Sequence, residues 1–283
     1  MTARNYPFIS KPSLMPDVDV DGQLIDLETP LEDAQSIRDR SVDCQWLVEN
    51  LLPEKTLTVI SAKRGSMKTF FAYGLAVAVA SGVPFLGRDT KRRHVIYCDN
   101  DNPEVVIHKR LNMMGSPEGF HLWCGKLPEH KKNPPPPIDS AKGQLKYSRL
   151  IERFQPNPLL IFDTFSQFYS PGRRPNKDED MRPVITAYNK LVALGCTILY
   201  LHHCSITSEA GKPVRAFKGK GSTVIEDDPD NAYILHPGAH KGDIYMYCEK
   251  NRLDFVPTRK LHMMEDFHFG GYTWDDVSEG TED

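Results

Sequence analysis

The sequence predicts an α/β fold, with a mainly parallel, twisted sheet that is covered by helices on both faces. Two observations lead to this prediction. From Leu57 onward, short apolar segments rich in Ile, Leu, Val and Tyr alternate with longer segments of helical periodicity. The first apolar segment also runs directly into a loop and helix of the kind that binds phosphate. A last apolar segment near the C-terminus predicts an antiparallel edge.

The predicted elements follow one another in a regular order. The predicted strands are Leu57–Ile60, His94–Cys98, Leu159–Phe162, Thr197–Leu201, Ala232–Leu235 and Ile244–Glu249. The predicted helices are Thr69–Ser81, Pro103–Met114, Ser148–Phe154 and Met181–Leu194.

Composition and local sequence divide the 283 residues into one α/β domain with two polar ends. We expect a flexible arm over 1–40, the α/β domain over 41–269 and an acidic tail over 270–283. A segment rich in Pro and Lys, 126–143, predicts a loop insertion within the domain.

Global charge and hydropathy limit the partners of the chain. The net charge of −3 gives no overall nucleic-acid signal, so any such contact must come from local basic loops. The six cysteines are scattered and form no C-x-x-C pair, which favours reduced side chains that pack as small hydrophobes. Because no apolar run is long enough to span a bilayer, we expect a cytoplasmic protein without a membrane partner.

The segment Ser61–Phe70 has the layout of a phosphate-binding P-loop. It lies between an apolar strand and a helix, and it contains the pair Lys68-Thr69. In such loops backbone N–H groups hold phosphate oxygens, the Lys reaches the β- and γ-phosphates, and the Thr hydroxyl ligates Mg²⁺. The predicted nucleotide-binding residues are Ala62, Lys63, Arg64, Gly65, Ser66, Met67, Lys68, Thr69 and Phe70.

This P-loop match is imperfect, and an alternative stays open. Ala62 and Met67 replace the two glycines of the usual G-x-x-x-x-G-K-[ST] pattern. The alternative is an ordinary strand-to-helix turn that carries a surface Lys. A positive φ at Met67 would predict weak phosphate binding.

Two acidic strand ends add to the nucleotide interpretation. Asp163 ends the apolar segment Leu159–Phe162, which is the Walker B arrangement for holding the Mg²⁺ of a nucleotide. Asp99 and Asp101 follow His94–Cys98, where one of them would orient or deprotonate the attacking water. The alternatives are an Asp that merely begins a turn, and an Asn102 cap for the next helix.

Two further groups of residues, a pair of histidines and a pair of lysines, are candidates for contact with the phosphates. His202 and His203 follow a buried strand, and adjacent strand residues point to opposite faces, so a shared metal ion is disfavoured and a γ-phosphate sensor at His203 is favoured. Lys218 and Lys220 lie in a glycine-containing loop, from which they would reach a neighbouring subunit's phosphates. A solvated basic loop is the alternative.

With these motifs in order, the chain resembles the RecA-like P-loop ATPases of the DnaB-type hexameric helicase group, and in particular small RepA-type helicases of plasmids and phages. The resemblance runs from about Ser41 to Arg252 and includes Gly65–Phe70, Ile107–Leu111 and the paired His202-His203. It implies a Mg²⁺-dependent ATPase that assembles into a hexamer.

The resemblance also assigns roles to residues. Ile107–Leu111 matches the helix after the catalytic acid of these ATPases, which places that acid at Asp101, where relatives have Glu. The segment 218–230 resembles the one that reaches into the neighbouring ATP site, so Lys218 and Lys220 would act in trans. Catalysis would therefore rest on Lys68, Asp101, His203, Lys218 and Lys220, and metal binding on Thr69 and Asp163.

Single-stranded DNA would lie against two basic loops in the channel of the ring. One loop, 169–178, carries Arg173, Arg174 and Lys177, and the other, 205–217, carries Lys212 and Arg215. Nearby aromatic residues suit binding by charge and stacking. Two solvated loops near an active site are the alternative.

Three functions remain open from the sequence. The first is a single-stranded DNA translocase or helicase in plasmid or phage replication, which works with other replication or recombination proteins. The second is a Rad51-like recombination or annealing ATPase. The third is a KaiC-like signalling ATPase that binds no nucleic acid.

Overall fold

A computed structural model describes residues 32–40, 43–63, 65–203, 222–237, 243–252 and 259–262. The chain divides into two units, 1–43 and 44–283. In the first unit, helix α1 (Ala34–Arg38) begins at Asp33, whose carboxylate accepts a hydrogen bond from the backbone N–H of Ser36 at 3.2 Å. The proposed limits of the arm, the domain and the tail stay predictions.

The second unit contains a large sheet and a small two-stranded one. The small sheet pairs β1 (Trp46–Val48) with β2 (Leu52–Pro53). The strands of the large sheet are β3 (Leu57–Ala62), β4 (Val95–Asp99), β5 (Phe120–Cys124), β6 (Leu159–Asp163), β7 (Thr197–His203), β8 (Asn231–Pro237), β9 (Asp243–Asn251) and β10 (Arg259–His262). The helices are α2 (Lys68–Ser81), α3 (Glu104–Met114), α4 (Ala141–Arg153), α5 (Asp178–Val192) and α6 (Val224–Asp227).

The strand order across the large sheet is β10-β9-β8-β3-β7-β6-β4-β5. All pairs from β8 to β5 are parallel, whereas β9 pairs antiparallel with β8 and with β10. The predicted α/β class, with a mainly parallel sheet and an antiparallel edge, is therefore confirmed.

Alternating residues of the central strands explain why the sheet is covered on both faces. In β6, Leu159 and Ile161 pack into one hydrophobic cluster with α2, while Leu160 and Phe162 pack into a second cluster with α4 and α5. All four side chains are fully buried. Continuous apolar strands of this kind need helices on both sides, because neither face can be left in water.

Several elements differ from the sequence-based prediction. Strands β5 and β10 were not predicted, since β5 is a half-buried edge strand interrupted by His121 and β10 is largely charged. Helix α4 begins at Ala141, seven positions before the predicted start at Ser148, because Ser140 caps it by accepting the Gly143 N–H at 2.9 Å. Helix α5 likewise begins at Asp178, where an acidic first turn suits the helix dipole.

Candidate nucleotide-binding site

The site lies at the carboxyl edge of the four neighbouring strands β3, β7, β6 and β4. Their registers set Ala62 beside His203 and Asp99 beside Asp163. Parallel strands that end together bring residues distant in sequence to one crevice, which is where ligands bind in open α/β sheets. Four of the predicted motifs therefore meet at one place.

The P-loop connects β3 to the N-terminus of α2. Gly65 has a φ of +86°, and Met67, the N-cap residue, has a φ of +58° in the left-handed region. The positive φ that predicts weak phosphate binding is thus present at Met67, and its side chain packs against the core beside α2. Met67 provides no side-chain cap, so the start of α2 offers backbone N–H groups to an anion.

Lys68 and His203 meet beneath this loop. The Lys68 side chain is buried, and its Nζ lies 3.3 Å from Nε2 of His203. His202 points to the opposite face, where it is buried edge-on against Phe165. The burial of His202 and the nearby His203 and Lys68 lower its pKa to about 4, so it is neutral at pH 7.

Asp163 lies close to the P-loop helix and to a second carboxylate. Its Oδ2 accepts a hydrogen bond from the Tyr97 hydroxyl at 2.8 Å, and Lys68 and Thr69 at the start of α2 lie near enough to lower its pKa. Burial, followed by the charge of Asp99, raises the pKa of Asp163 to about 6, against the opposing effects of Tyr97, Lys68 and Thr69. A cation beside this carboxylate would relieve its electrostatic cost.

The residues present fit a nucleotide with its Mg²⁺. Ser66 Oγ is buried without a hydrogen-bond partner among the described residues, as expected of a group that awaits a ligand oxygen. Thr69 and Asp163 supply the hydroxyl and carboxylate oxygens that Mg²⁺ prefers. Lys68 supplies a positive charge for phosphate.

The two acids after β4 occupy different environments. Asp99 is fully buried, and its oxygens accept hydrogen bonds from the turn that follows. Asp101 is exposed in that turn, before α3 begins. Either acid is a candidate for orienting or deprotonating the attacking water. The assignment of the catalytic acid to Asp101 stays a prediction.

Two of the predicted DNA-binding arginines, Arg173 and Arg174, form ion pairs within the chain. Arg173 pairs with the carboxylate of Asp139, which is only 2% exposed, and also donates to the backbone oxygen of Asp180. Arg174 pairs with Asp180 at 2.6 Å and with Glu179 at 2.7 Å on the surface.

The third predicted DNA contact of the first loop, Lys177, is exposed immediately before α5. The remaining predicted residues lie outside the described residues: Arg64 of the P-loop, Lys212 and Arg215 of the second basic loop, and the trans-acting Lys218 and Lys220.

Tyr97 is the site residue that sequence reasoning missed. It lies two positions before Asp99, so both side chains project from the same face of β4, and the register places them beside Ile161 and Asp163. A tyrosine within a buried strand resembles a core residue until the neighbouring strand and its register are known. Aligning the ends of β4 and β6, at Asp99 and Asp163, would have placed Tyr97 near Asp163 from the sequence.

The fold, the P-loop and the acids at the strand ends define a P-loop ATPase domain of RecA-like fold. The chain belongs to the AAA domain family, whose model matches residues 26–209. The resemblance to RecA-like P-loop ATPases that the motifs indicated is therefore confirmed.

Solved structures match this chain at low sequence identity. One solved ATPase domain matches with a TM-score of 0.55 and 15% identity, over 80% of this chain and 86% of that one. The flagellar accessory protein FlaH from Methanocaldococcus jannaschii matches with a TM-score of 0.49 and 13% identity, over 75% of this chain and 87% of that one. No curated protein matches the sequence. Within the described ranges, no helix is long and apolar enough to cross a membrane.

Proposed function

We propose that the chain is a Mg²⁺-dependent ATPase that assembles into a ring, and that ATP hydrolysis moves this ring along single-stranded DNA. The observation that carries the ATPase part is the convergence of Lys68, Thr69, Asp163 and His203 at one edge of the sheet. These groups come from three separate strand ends, and a chance loop would not bring them together.

Each residue has a role that follows from its chemistry. Lys68 and the backbone from Gly65 to Thr69 hold the phosphates, and Thr69 and Asp163 hold Mg²⁺. Bound Mg²⁺ neutralises charge that develops on the phosphate oxygens. His203 lies beside Lys68, where it would sense the γ-phosphate, and Asp101 would take the proton of the attacking water.

The test of the ATPase is steady-state ATP hydrolysis by the wild type and by Lys68→Ala. We expect Lys68→Ala to lower turnover by at least about 100-fold, because a preorganised charge at the phosphates is lost. Lys190→Ala, which removes an exposed Lys from α5, is the matched control and should keep wild-type turnover. Turnover that survives Lys68→Ala in a folded protein would show that the P-loop assignment is wrong.

The DNA part of the proposal rests on the motif resemblance to DnaB-type helicases. We propose a hexamer that translocates on single-stranded DNA in plasmid or phage replication, together with other replication or recombination proteins. Lys218 and Lys220 would complete the site of the neighbouring subunit, and Arg174, Lys177, Lys212 and Arg215 would contact DNA. Arg173 has a second role, since it already neutralises the buried Asp139.

Turnover with and without single-stranded DNA separates this function from its competitors. A motor predicts stimulation by DNA, ATP-dependent strand displacement and a hexameric mass by light scattering with ATP. Stimulation with annealing or filament formation, but without displacement, would favour the Rad51-like alternative. Turnover that ignores DNA would favour the signalling alternative.

A further inference from the structure

Asp99 organises the turn that carries Asp101. Its Oδ1 accepts hydrogen bonds from the backbone N–H groups of Asp101 at 2.8 Å and Asn102 at 2.9 Å. Its Oδ2 accepts from the Asn102 side-chain amide at 2.8 Å. Three bonds from one buried carboxylate thus fix the backbone on which Asp101 is mounted, at the end of β4.

A carboxylate is a costly choice for this purpose. Asp99 is fully buried and faces Asp163 across the β4–β6 register, so two negative charges share a region of low dielectric. A Ser or Asn could accept the same backbone hydrogen bonds without that charge. The turn alone therefore does not explain the acid.

A cation from α3 faces the same acid. Arg110 lies with its guanidinium 5.6 Å from the centre of the Tyr73 ring and 5.5 Å from that of Phe70, and its charge acts on Asp99. Asp99 therefore interacts with two parts of the chain. It accepts hydrogen bonds from the backbone of the turn, and it interacts through charge with Arg110 of α3. Arg110 therefore contacts the rings of Phe70 and Tyr73 on the P-loop helix and acts on Asp99 through its charge.

We propose that Asp99 is a positioning residue for ATP hydrolysis, which holds Asp101 in the orientation that hydrolysis requires. The inference rests on the proposed ATPase function. In the step itself, the water oxygen bonds to the γ-phosphorus, the bond to the β–γ bridging oxygen breaks, and the water proton passes to the Asp101 carboxylate. Asp99 exchanges no proton with the substrate in this step and acts only as a hydrogen-bond acceptor.

The experiment compares single-turnover hydrolysis and ATP affinity in the two single variants Asp101→Ala and Asp99→Ala and in the double variant. Asp101→Ala should slow hydrolysis by about 100-fold or more, as expected for loss of a general base. Asp99→Ala should slow it by about 10-fold to 100-fold through misplacement of Asp101, with the Kd for ATP unchanged. The double variant should be no slower than Asp101→Ala, because Asp99 acts through Asp101.

Conservative variants distinguish positioning from mere stability. Asp99→Asn keeps an oxygen for the two backbone N–H groups but has no charge for Arg110, so it should recover part, and not all, of the rate that Asp99→Ala loses. Asn100→Ala is the matched control in the same turn: its amide donates to the Pro135 backbone oxygen instead, and its rate should equal the wild type. If Asp99→Ala does not fold, Asp99→Val leaves no cavity and offers no acceptor, and it takes the place of Asp99→Ala.

The outcomes separate this inference from the function on which it rests. A wild-type chain without Lys68-dependent turnover would remove the proposed function itself. Turnover that depends on Asp101 but is unchanged in Asp99→Ala or Asp99→Val would overturn only the role of Asp99. Turnover that depends on Asp99 in the Asp101→Ala background would also overturn it, since Asp99 would then be acting directly.

Discussion

At the scale of single residues, burial decides which ionisable groups are charged. Lys68, Asp99, Asp163 and His202 are all buried at the carboxyl edge of the sheet. Their protonation states follow from one another, because each charge acts on its neighbours where little water screens it. Burial is the largest cause of the shifted pKa values of Asp99, Asp163 and His202.

His202 gives a prediction about stability and pH. Its pKa falls from 6.5 to about 4 on folding. Between pH 6.5 and pH 4, His202 is therefore protonated in the unfolded chain and neutral in the folded chain. Stability should therefore fall as the pH drops through this window, by about 2 kcal/mol between pH 7 and pH 5. Urea unfolding of wild type and His202→Gln at both pH values measures it.

His202→Gln keeps a polar side chain but cannot titrate, so its pH dependence should be smaller by that amount. The opposing change from Asp163, whose raised pKa favours the folded state at lower pH, occurs in both proteins and cancels in the comparison. Equal pH dependence in the two proteins would contradict the buried, neutral His202.

At the scale of elements, the residues just before and just after the start of α4 determine where this helix begins. Ser140 caps the helix, and Gly143 in the first turn lets the preceding chain pass closely. A Cβ built at Gly143 would meet the backbone oxygen of Pro137 at 1.9 Å. This glycine is therefore required by packing and not by an unusual φ.

Gly143→Ala should destabilise the protein by about 1–3 kcal/mol, because the clash outweighs the better helix propensity of Ala. Lys142→Ala, at the neighbouring exposed position, should change stability by less than about 0.5 kcal/mol. Thermal melting of both variants measures the difference. A Gly143→Ala protein as stable as wild type would mean that the Pro137 segment can move aside.

At the scale of the whole molecule, one ion pair joins distant parts of the chain. Asp139, just before α4, accepts hydrogen bonds from the Ser170 N–H at 2.8 Å and hydroxyl at 2.9 Å, and it pairs with Arg173. The pair holds the loop after β6 against the approach to α4. Its carboxylate is buried, and Arg173 is the cation that pairs with it.

Arg173→Ala should destabilise the fold by about 3–5 kcal/mol, since it leaves the Asp139 charge buried without its cation. Arg174→Ala removes an exposed pair with Glu179 and Asp180, and it should cost about 0–1 kcal/mol. Chemical denaturation compares the two variants, and equal losses would refute the distinction. Arg174→Ala is consequently the cleaner variant for measuring a contribution to DNA binding.

The sequence alone predicts the class of fold, the positions of the main strands along the chain and the P-loop. These follow from local patterns: apolar runs, helical periodicity and a strand–loop–helix with Lys68-Thr69, each contained within a few consecutive residues. The half-buried strand β5 and the early start of α4 escaped prediction, because edge strands and polar first turns carry a weak pattern.

Only the tertiary structure decided which side chains meet. Asp99 faces Asp163, Tyr97 bonds to Asp163, and Arg173 pairs with Asp139, although tens of residues separate the members of each pair. Strand order and register set these contacts, and both are fixed by how the two hydrophobic faces pack across the whole sheet. The sequence names the candidate groups, whereas packing gives each one its neighbour and so its charge state.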